Sequence, residues 1–173
     1  MLEFKSWGKI PREAPFEVTI TEKINGTNAC IVIQDNWVVG IQSRKRFITP
    51  TDDNFGFAKW VEDNVEDLLS LGEGHHFGEW AGPGIQKNPL QLEQKRFFLF
   101  NTFRWNADNP NRPACCDVVP VLFEGTLTPH TIDDLLEKMK QDEVTHEGVI
   151  VYYHASRSYS KHTVIQPKGK WQK

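Results

Sequence analysis

A chain of 173 residues with a formal net charge of −3 is long enough to bury a core, and its size favours one folded domain over two. No stretch is apolar over the length of a membrane span, and the first residues do not resemble a signal peptide. Of the three cysteines, two are adjacent at Cys115 and Cys116, and they have neither metal-ligand spacing nor that of a disulfide framework. We therefore expect a soluble, cytoplasmic protein.

Alternation of apolar and polar residues predicts strands along much of the chain, near residues 16–23, 28–34, 37–43, 75–80, 96–103, 118–123, 147–153 and 158–165. A first helix is predicted over 51–70, where apolar residues recur at helical spacing. A second helix is predicted from Thr131. Its hydroxyl is expected to cap the helix, with Asp134, three residues later, as the second member of a capping box. Residues 106–113 have the composition of a loop. A few helices among many strands predict an α+β fold, with 1–173 as a single domain.

Lys23 stands at the end of the first predicted strand. Asn25 and Gly26, which follow it, tolerate positive φ and predict a tight turn. A lysine amine has an unperturbed pKa near about 10.4, so a nucleophilic role at neutral pH requires burial or nearby cations to lower that pKa. The other interpretation is an ordinary hairpin turn with a solvated lysine, and this segment alone does not decide between the two.

The run Glu22-Lys23-Ile24-Asn25-Gly26-Thr27-Asn28 resembles the Lys-x-Asp/Asn-Gly motif of the covalent nucleotidyltransferases. Its longer form resembles the T4-type RNA ligase 2 family, in the minimal single-domain form of phages and bacteria. The resemblance implies that the Lys23 amine attacks the α-phosphate of ATP or GTP and carries the nucleotide covalently. It places Asn28 at the nucleic-acid end. The nucleotide contacts that it implies are Glu22, Ile24, Asn25 and Gly26.

Two further segments follow in the order of that family's motifs. Arg44 matches the arginine of motif Ia, which contacts the nucleotide; Arg46 is the second choice for that contact and a candidate for the nucleic-acid end. A planar guanidinium suits a ribose hydroxyl or a phosphate, although a basic strand end is often plain surface. The segment 77–86 is similar to motif III, where Glu79 would address the ribose. An acidic residue in an apolar strand needs a partner, so a structural salt bridge is the alternative.

The segment 96–103 resembles motif IIIa, in which an aromatic side chain stacks on the purine. Alternation puts Phe97 on the same face as Asn101, so Phe97 is the expected stacking residue and Phe98 the fallback. Plain core packing of these aromatic residues is the other interpretation. Asn101 stands where many relatives have aspartate, which removes one negative charge.

The last two matches concern the phosphates. Glu147 begins a segment that matches motif IV, whose glutamate helps to hold a divalent metal, and magnesium or manganese is the expected ion. Lys161 lies at the position of motif V and is expected to contact the α-phosphate and to lower the pKa of Lys23. Many relatives have a second lysine where this chain has Thr163, so the second cation is missing unless Lys168 or Lys170 folds back. The alternatives are that Glu147 is an ordinary acidic residue at the start of a strand and that Lys161 is an ordinary surface lysine.

Five matches in the required order imply an antiparallel two-sheet nucleotidyltransferase domain with ATP in a groove between the sheets. The implied activity is ATP-dependent RNA ligation through lysyl-AMP, in which a 5′-phosphate end is adenylylated and then joined to a 3′-hydroxyl, as in RNA repair. RNA is favoured over DNA as the substrate, and a phage source is compatible with the resemblance. The chain ends at Lys173, shortly after motif V, so no OB or other carboxy-terminal domain is expected and a helper protein for end recognition is one expectation.

Two other functions remain open from the sequence. A DNA nick ligase or a GTP-using, capping-type nucleotidyltransferase would use the same chemistry on other substrates. A catalytically inactive nucleotide- or RNA-binding module would keep the fold without the covalent step. Covalent labelling by ATP separates the inactive module from the enzymes.

Overall fold

The computed structural model of the protein describes residues 16–106 and 108–164. In chain order its strands are β1 (Glu17–Glu22), β2 (Thr27–Gln34), β3 (Trp37–Ser43), β4 (Gly74–Ala81), β5 (Arg96–Leu99), β6 (Cys116–Val118), β7 (Val121–Thr126), β8 (Gly148–Tyr153) and β9 (Ser158–Thr163). They form a four-stranded sheet in the order β7-β1-β8-β9 and a five-stranded sheet in the order β3-β2-β4-β5-β6. Every pairing is antiparallel except the one between β5 and β6. The predicted antiparallel α+β fold is confirmed.

The helices are α1 (Phe57–Asp63), α2 (Val65–Leu68) and α3 (Thr131–Gln141), and a 3₁₀ turn, Leu69–Leu71, follows α2. None of the helices in these described ranges is long and apolar enough to span a membrane. The prediction of one helix over 51–70 is wrong at both its start and its middle. Gly56, with φ of 81°, precedes α1, and Asn64, with φ of −119°, separates α1 from α2.

The second helix begins at Thr131 as predicted, but the predicted cap is wrong. His130 occupies the cap position and no side chain caps the helix. The Thr131 hydroxyl instead accepts a hydrogen bond from the backbone N–H of Thr128 at 3.0 Å, which stabilises the turn before the helix.

Each sheet has one face covered by helices. Alternate residues of the five-stranded sheet pack on α1 and α2 in the larger core, which includes Ile31, Trp80 and Phe97. Alternate residues of the four-stranded sheet, including Ile20 and Val151, pack on α3. The other faces meet where Phe103, from the segment after β5, contacts Tyr152 of β8 with ring centroids 6.3 Å apart. The two sheets therefore turn their helix-free faces toward each other.

Two predicted strands are corrected. The strand predicted over 96–103 ends at Leu99, because the chain turns there: the N–H of Thr102 bonds to the carbonyl oxygen of Phe100. The strand predicted over 118–123 is two strands in different sheets, β6 and β7, and the chain crosses between them at Val119 and Pro120. Residue 165, at the end of the last predicted strand, lies outside the described residues, as do Lys168 and Lys170.

Candidate active site

Lys23 lies in a segment that crosses from one sheet to the other. β1 ends at Glu22 in the four-stranded sheet, and β2 begins at Thr27 in the five-stranded sheet. The backbone N–H of Lys23 donates to the carbonyl oxygen of Gly148 at 2.8 Å, which continues the pairing of β1 with β8. The hairpin interpretation of this segment is therefore wrong, because β1 and β2 do not pair.

Gly26 is needed for a close approach and not for positive φ. Neither Asn25 nor Gly26 has a positive φ, so that expectation is wrong. A Cβ added to Gly26 would overlap the carbonyl oxygen of Trp80 in β4 and would be 3.0 Å from the Ala81 side chain. Only glycine lets the crossing segment lie against β4 in this way.

Three predicted site residues meet at this crossing. The Lys23 amine forms an ion pair with Oε1 of Glu147, while Oε2 of Glu147 accepts a hydrogen bond from the Asn25 side-chain amide at 2.9 Å. The Asn25 amide oxygen accepts the backbone N–H of Lys87 at 3.0 Å. Because Asn25 is bonded on both sides, it fixes the carboxylate that holds the lysine. Lys23 itself is 21% exposed, so the amine is reachable from the groove.

Glu79 and Asn28 form a second part of the site. They are cross-strand neighbours in β4 and β2, and the Asn28 amide donates to Oε2 of Glu79 at 2.8 Å. Burial raises the pKa of Glu79 to about 7, although the Asn28 hydrogen bond and the charge of Lys23 oppose that rise and Glu147 adds to it. Among the described residues Glu79 forms no salt bridge, so the structural alternative for this residue is not supported.

The raised pKa of Glu79 makes stability depend on pH. Between the pKa of an unfolded glutamate, about 4.3, and about 7 in the fold, the folded protein holds a proton that the unfolded chain releases. The free energy of unfolding therefore falls as pH rises through this window. The Glu79→Gln variant has no carboxyl group to titrate here, so its free energy of unfolding should not fall in this way. Relative to wild type, we expect that free energy to rise by about 2 kcal/mol from pH 5 to pH 8.5, or about 4–8 °C in Tm.

Thermal unfolding without nucleotide at several pH values measures this difference. Glu93→Gln is the matched control, because Glu93 is an exposed carboxylate outside the site. A Glu79→Gln advantage that is the same at pH 5 and pH 8.5 would contradict the assignment.

The structure corrects the choice of Phe97. Its ring is fully buried against Phe57, with centroids 4.9 Å apart, on the helix-covered face of β5. Phe98 is opposite Glu79 in the β4–β5 pair and therefore lies on the groove face. It packs beside Ile24, which is itself 5% exposed. Phe98 is only 9% exposed, but it is the fallback residue Phe98, and not Phe97, that lies on the groove face.

Glu22 is also not where its expected role requires. Its side chain lies on the same face of β1 as Val18 and Ile20, away from the groove, and is 8% exposed. His146 Nδ1 lies 2.6 Å from Oε1 of Glu22, and His146 Nε2 lies 3.0 Å from Oδ2 of Asp142. Burial lowers the pKa of His146, but the two carboxylates outweigh that effect and raise it. The Glu22 side chain therefore holds the residue directly before Glu147 and does not face the groove.

His146 was not anticipated from the sequence. The only available signal was its place directly before Glu147, because a lone histidine beside an acidic residue is common on protein surfaces. Its bridge between Glu22 and Asp142 depends on the pairing of β1 with β8, which brings residues that are distant in sequence into contact.

The three remaining predicted residues are cations outside the Lys23 contact. Arg44 is exposed in the turn after β3. Arg46 forms an ion pair with Asp52 at 2.6 Å, so its guanidinium is held by the next loop. Lys161 is exposed on β9 and is opposite Ile150 of β8, which in turn is opposite Thr21. Thr163 is opposite Gly148, in the row of Lys23.

The donor chemistry at Glu147 fits a magnesium ion that keeps most of its waters. No cluster of three or more His, Cys, Asp or Glu side chains able to hold a metal occurs in the ranges the structure describes. Magnesium is commonly held by one or two carboxylates together with substrate phosphates, so a single glutamate at the groove is compatible with it. Glu147 is the residue that would hold the ion.

Comparison with known proteins places this geometry in a family. The sequence matches the RNA ligase family over residues 16–168. Structures of mutants of the Naegleria gruberi RNA ligase have the same fold: one with ATP and manganese aligns over 86% of this chain and 49% of that chain, with 20% identity and a TM-score of 0.61. A second mutant, also with ATP and manganese, covers 86% and 50% at 20% identity, with a TM-score of 0.63. The chain thus spans about half the length of that ligase. It belongs to the RNA ligase family.

Proposed function

We propose that this chain is the nucleotidyltransferase part of an ATP-dependent RNA ligase and that Lys23 is its nucleophile. The observation that carries the proposal is the contact of the Lys23 amine with Glu147, at the place where the chain crosses between the sheets. Asn25 anchors this contact, and Glu79 and Phe98 lie on the facing sheet. The solved relative with ATP and manganese supports the nucleotide, and membership of the family supports RNA as the substrate.

In the first step the Lys23 amine attacks the α-phosphorus of ATP. A nitrogen–phosphorus bond forms while the bond from that phosphorus to the pyrophosphate oxygen breaks, so lysyl-AMP and pyrophosphate result. Attack requires the amine to lose its proton to solvent, which reaches the partly exposed side chain, and to turn from Glu147 toward the phosphorus. A magnesium ion, when bound, offsets the negative charge of the phosphates.

The residues around Lys23 have separate tasks in this step. Phe98 would stack on the base and Glu79 would accept a hydrogen bond from the ribose, which together orient the α-phosphate toward the amine. Arg44 and Lys161 are exposed cations that would contact the phosphates or the ribose. Asn28, which is bonded to Glu79, would meet the 5′-end that receives the AMP.

The two later steps use the nucleic-acid ends. AMP would pass from Lys23 to a 5′-phosphate, and a 3′-hydroxyl would then displace it and seal the strand. Both steps, and the assignment to the T4-type group within the family, rest on the resemblance of the motifs. The groove faces described above would recognise the ends, together with a helper protein.

Intact mass spectrometry tests the proposal. After incubation with ATP and magnesium we expect one adenylate adduct, which disappears when 5′-phosphorylated RNA with a 3′-hydroxyl partner is added and sealed product forms. Sealing of nicked DNA alone, or labelling by GTP in place of ATP, would move the assignment to the other nucleotidyltransferases. Absence of an adduct with either nucleotide would support an inactive binding module.

Glu147→Gln and Lys161→Ala should each slow adduct formation without unfolding the protein. Glu147→Gln removes the carboxylate that would hold the magnesium ion, and Lys161→Ala removes a cation from the groove face. We expect each rate to fall by on the order of a hundredfold, as for other single electrostatic contacts in active sites. Lys59→Ala, which removes an exposed lysine of α1, is the control. A fall in Tm that accounts for the lost activity would instead indicate a structural role.

A further inference from the structure

Four aromatic side chains form a continuous cluster on the face of the four-stranded sheet that carries Lys161. We call Phe103, Tyr152, His154 and Tyr159 the aromatic platform. The rings of Tyr152 and Tyr159 lie 4.8 Å apart in cross-strand contact, and His154 lies 5.5 Å from Tyr152. Phe103 reaches the platform from the other sheet and lies 5.7 Å from His154. The platform therefore joins the two sheets along the groove.

Two members of the platform are open to solvent. Tyr159 is 71% exposed and Phe103 is 61% exposed, so much of both side chains is accessible. His154 is held from below, because its Nε2 lies 2.9 Å from the hydroxyl of the buried Thr19. Clustered exposed aromatic residues on a protein surface mark a binding site more often than scattered ones do.

The side of the platform formed by the β8–β9 hairpin is cationic. The hairpin of β8 and β9, residues 148–163, contains Arg157 and Lys161 and no aspartate or glutamate, in a chain whose formal net charge is −3. The acidic residues Asp133 and Asp134 belong to α3, which covers the opposite face of this sheet. Two carboxylates share the platform's face on the neighbouring strands, because Glu17 is next to His154 and Glu124 is opposite Thr19. The cations lie on the β9 side, where Lys161 and Tyr159 are on one face. Aromatic faces next to cations are a combination that binds single-stranded nucleic acid.

The platform is also at a suitable distance from the reactive lysine. Lys23 bonds to Gly148, Lys161 is opposite Ile150, and Tyr159 is opposite Tyr152, so the three rows follow one another along β8. Tyr152 comes four residues after Gly148 on β8. Because two residues of strand advance the chain by roughly 7 Å, the platform lies on the order of 13 Å from the row of Lys23. Stacked bases rise by about 3.4 Å each, so a strand whose end lies at Lys23 would reach the platform within a few nucleotides.

We propose that the aromatic platform binds unpaired nucleotides beside the end to be joined, so that the substrate is single-stranded RNA and not a nicked duplex. Unpaired bases can stack on exposed rings, whereas the bases of a duplex are stacked on one another and do not offer their faces. The inference rests on the proposed function for the identity of the nucleic acid as RNA. It adds the strandedness of the substrate and the residues that select it.

Fluorescence anisotropy with a labelled, 5′-phosphorylated RNA tests the proposal, with the same strand offered alone and within a nicked duplex. Wild type should bind the single strand more tightly. Tyr159→Ala should weaken single-strand binding by about tenfold, while Tyr159→Phe, which keeps the ring, should bind within about threefold of wild type. Trp37→Ala is the matched control, because Trp37 is 72% exposed but lies on β3 of the other sheet, and its binding should not change.

Phe103→Ala provides a second variant on the other side of the groove and should weaken single-strand binding to a similar extent. Tighter binding of the nicked duplex by wild type, or equal losses in Tyr159→Ala and Trp37→Ala, would overturn the proposal. Adduct formation with ATP, measured on the same samples, is independent of both results. Its absence would contradict the proposed function while the binding comparison still decides whether the platform selects single strands.

Discussion

Lys23→Arg should form no adduct with ATP, although it keeps the positive charge that pairs with Glu147. A guanidinium stays protonated in proteins and is a poor nucleophile, so the covalent step is lost completely while the ion pair can re-form. The free energy of unfolding should change by less than about 1 kcal/mol, since the pair is partly exposed and such pairs contribute little. Intact mass after incubation with ATP and magnesium measures the adduct, and thermal unfolding measures the stability.

Lys23→Ala and a pre-adenylylated substrate complete the experiment. The alanine variant also lacks the adduct, but it leaves the Glu147 carboxylate without its cation. A strand that already carries 5′-AMP bypasses the lysine, so Lys23→Arg should still seal it when no ATP is present. An adduct on Lys23→Arg at another residue would sink the assignment of the nucleophile, and failure to seal the pre-adenylylated strand would limit the proposal to the first step.

The sequence predicted the reactive corner of the site better than its surroundings. Lys23, Asn25 and Glu147 were each expected in the site because their motifs each name a residue type and a place near a strand end, and the structure brings their side chains into contact. That prediction needed only the order of the motifs. The path of the chain around them was not predictable in the same way: the Asn25–Gly26 pair is typical of a hairpin turn, and nothing local shows that the strands on its two sides join different sheets.

Glu22 shows a second limit of the sequence. Its neighbour Lys23 faces the groove, and a strand residue next to it must face the other way, which places Glu22 on the side of α3. Alternation could have indicated this. The partner that satisfies the buried carboxylate, His146, is 124 residues away and was set by the register of β1 against β8. Long-range pairing of this kind has no signature in a single sequence.

The choice of Phe97 for stacking depended on a strand prediction that is wrong. The choice assumed that one strand ran from 96 to 103, so that Phe97 and Asn101 shared a face. β5 ends at Leu99, and the side-chain oxygen of Asn101 accepts the backbone N–H of Arg104 at 3.0 Å in a turn. Because both faces of β5 carry phenylalanine, composition alone does not show which face packs on the helices.

Phe97→Ala should therefore unfold the protein more readily, and Phe98→Leu should weaken ATP binding. Phe97 is fully buried among Phe57, Trp60 and Trp80, and removing such a ring costs about 3–5 kcal/mol, or about 10 °C in Tm. Phe97→Leu, which keeps most of the volume, should have a normal KM for ATP, whereas Phe98→Leu should raise KM by about tenfold through the lost stacking. Both leucine variants should be folded, as judged by thermal unfolding, so their KM values can be compared directly. A raised KM in Phe97→Leu with a normal KM in Phe98→Leu would return the stacking role to Phe97, and it would mean that the ring leaves the core when ATP binds.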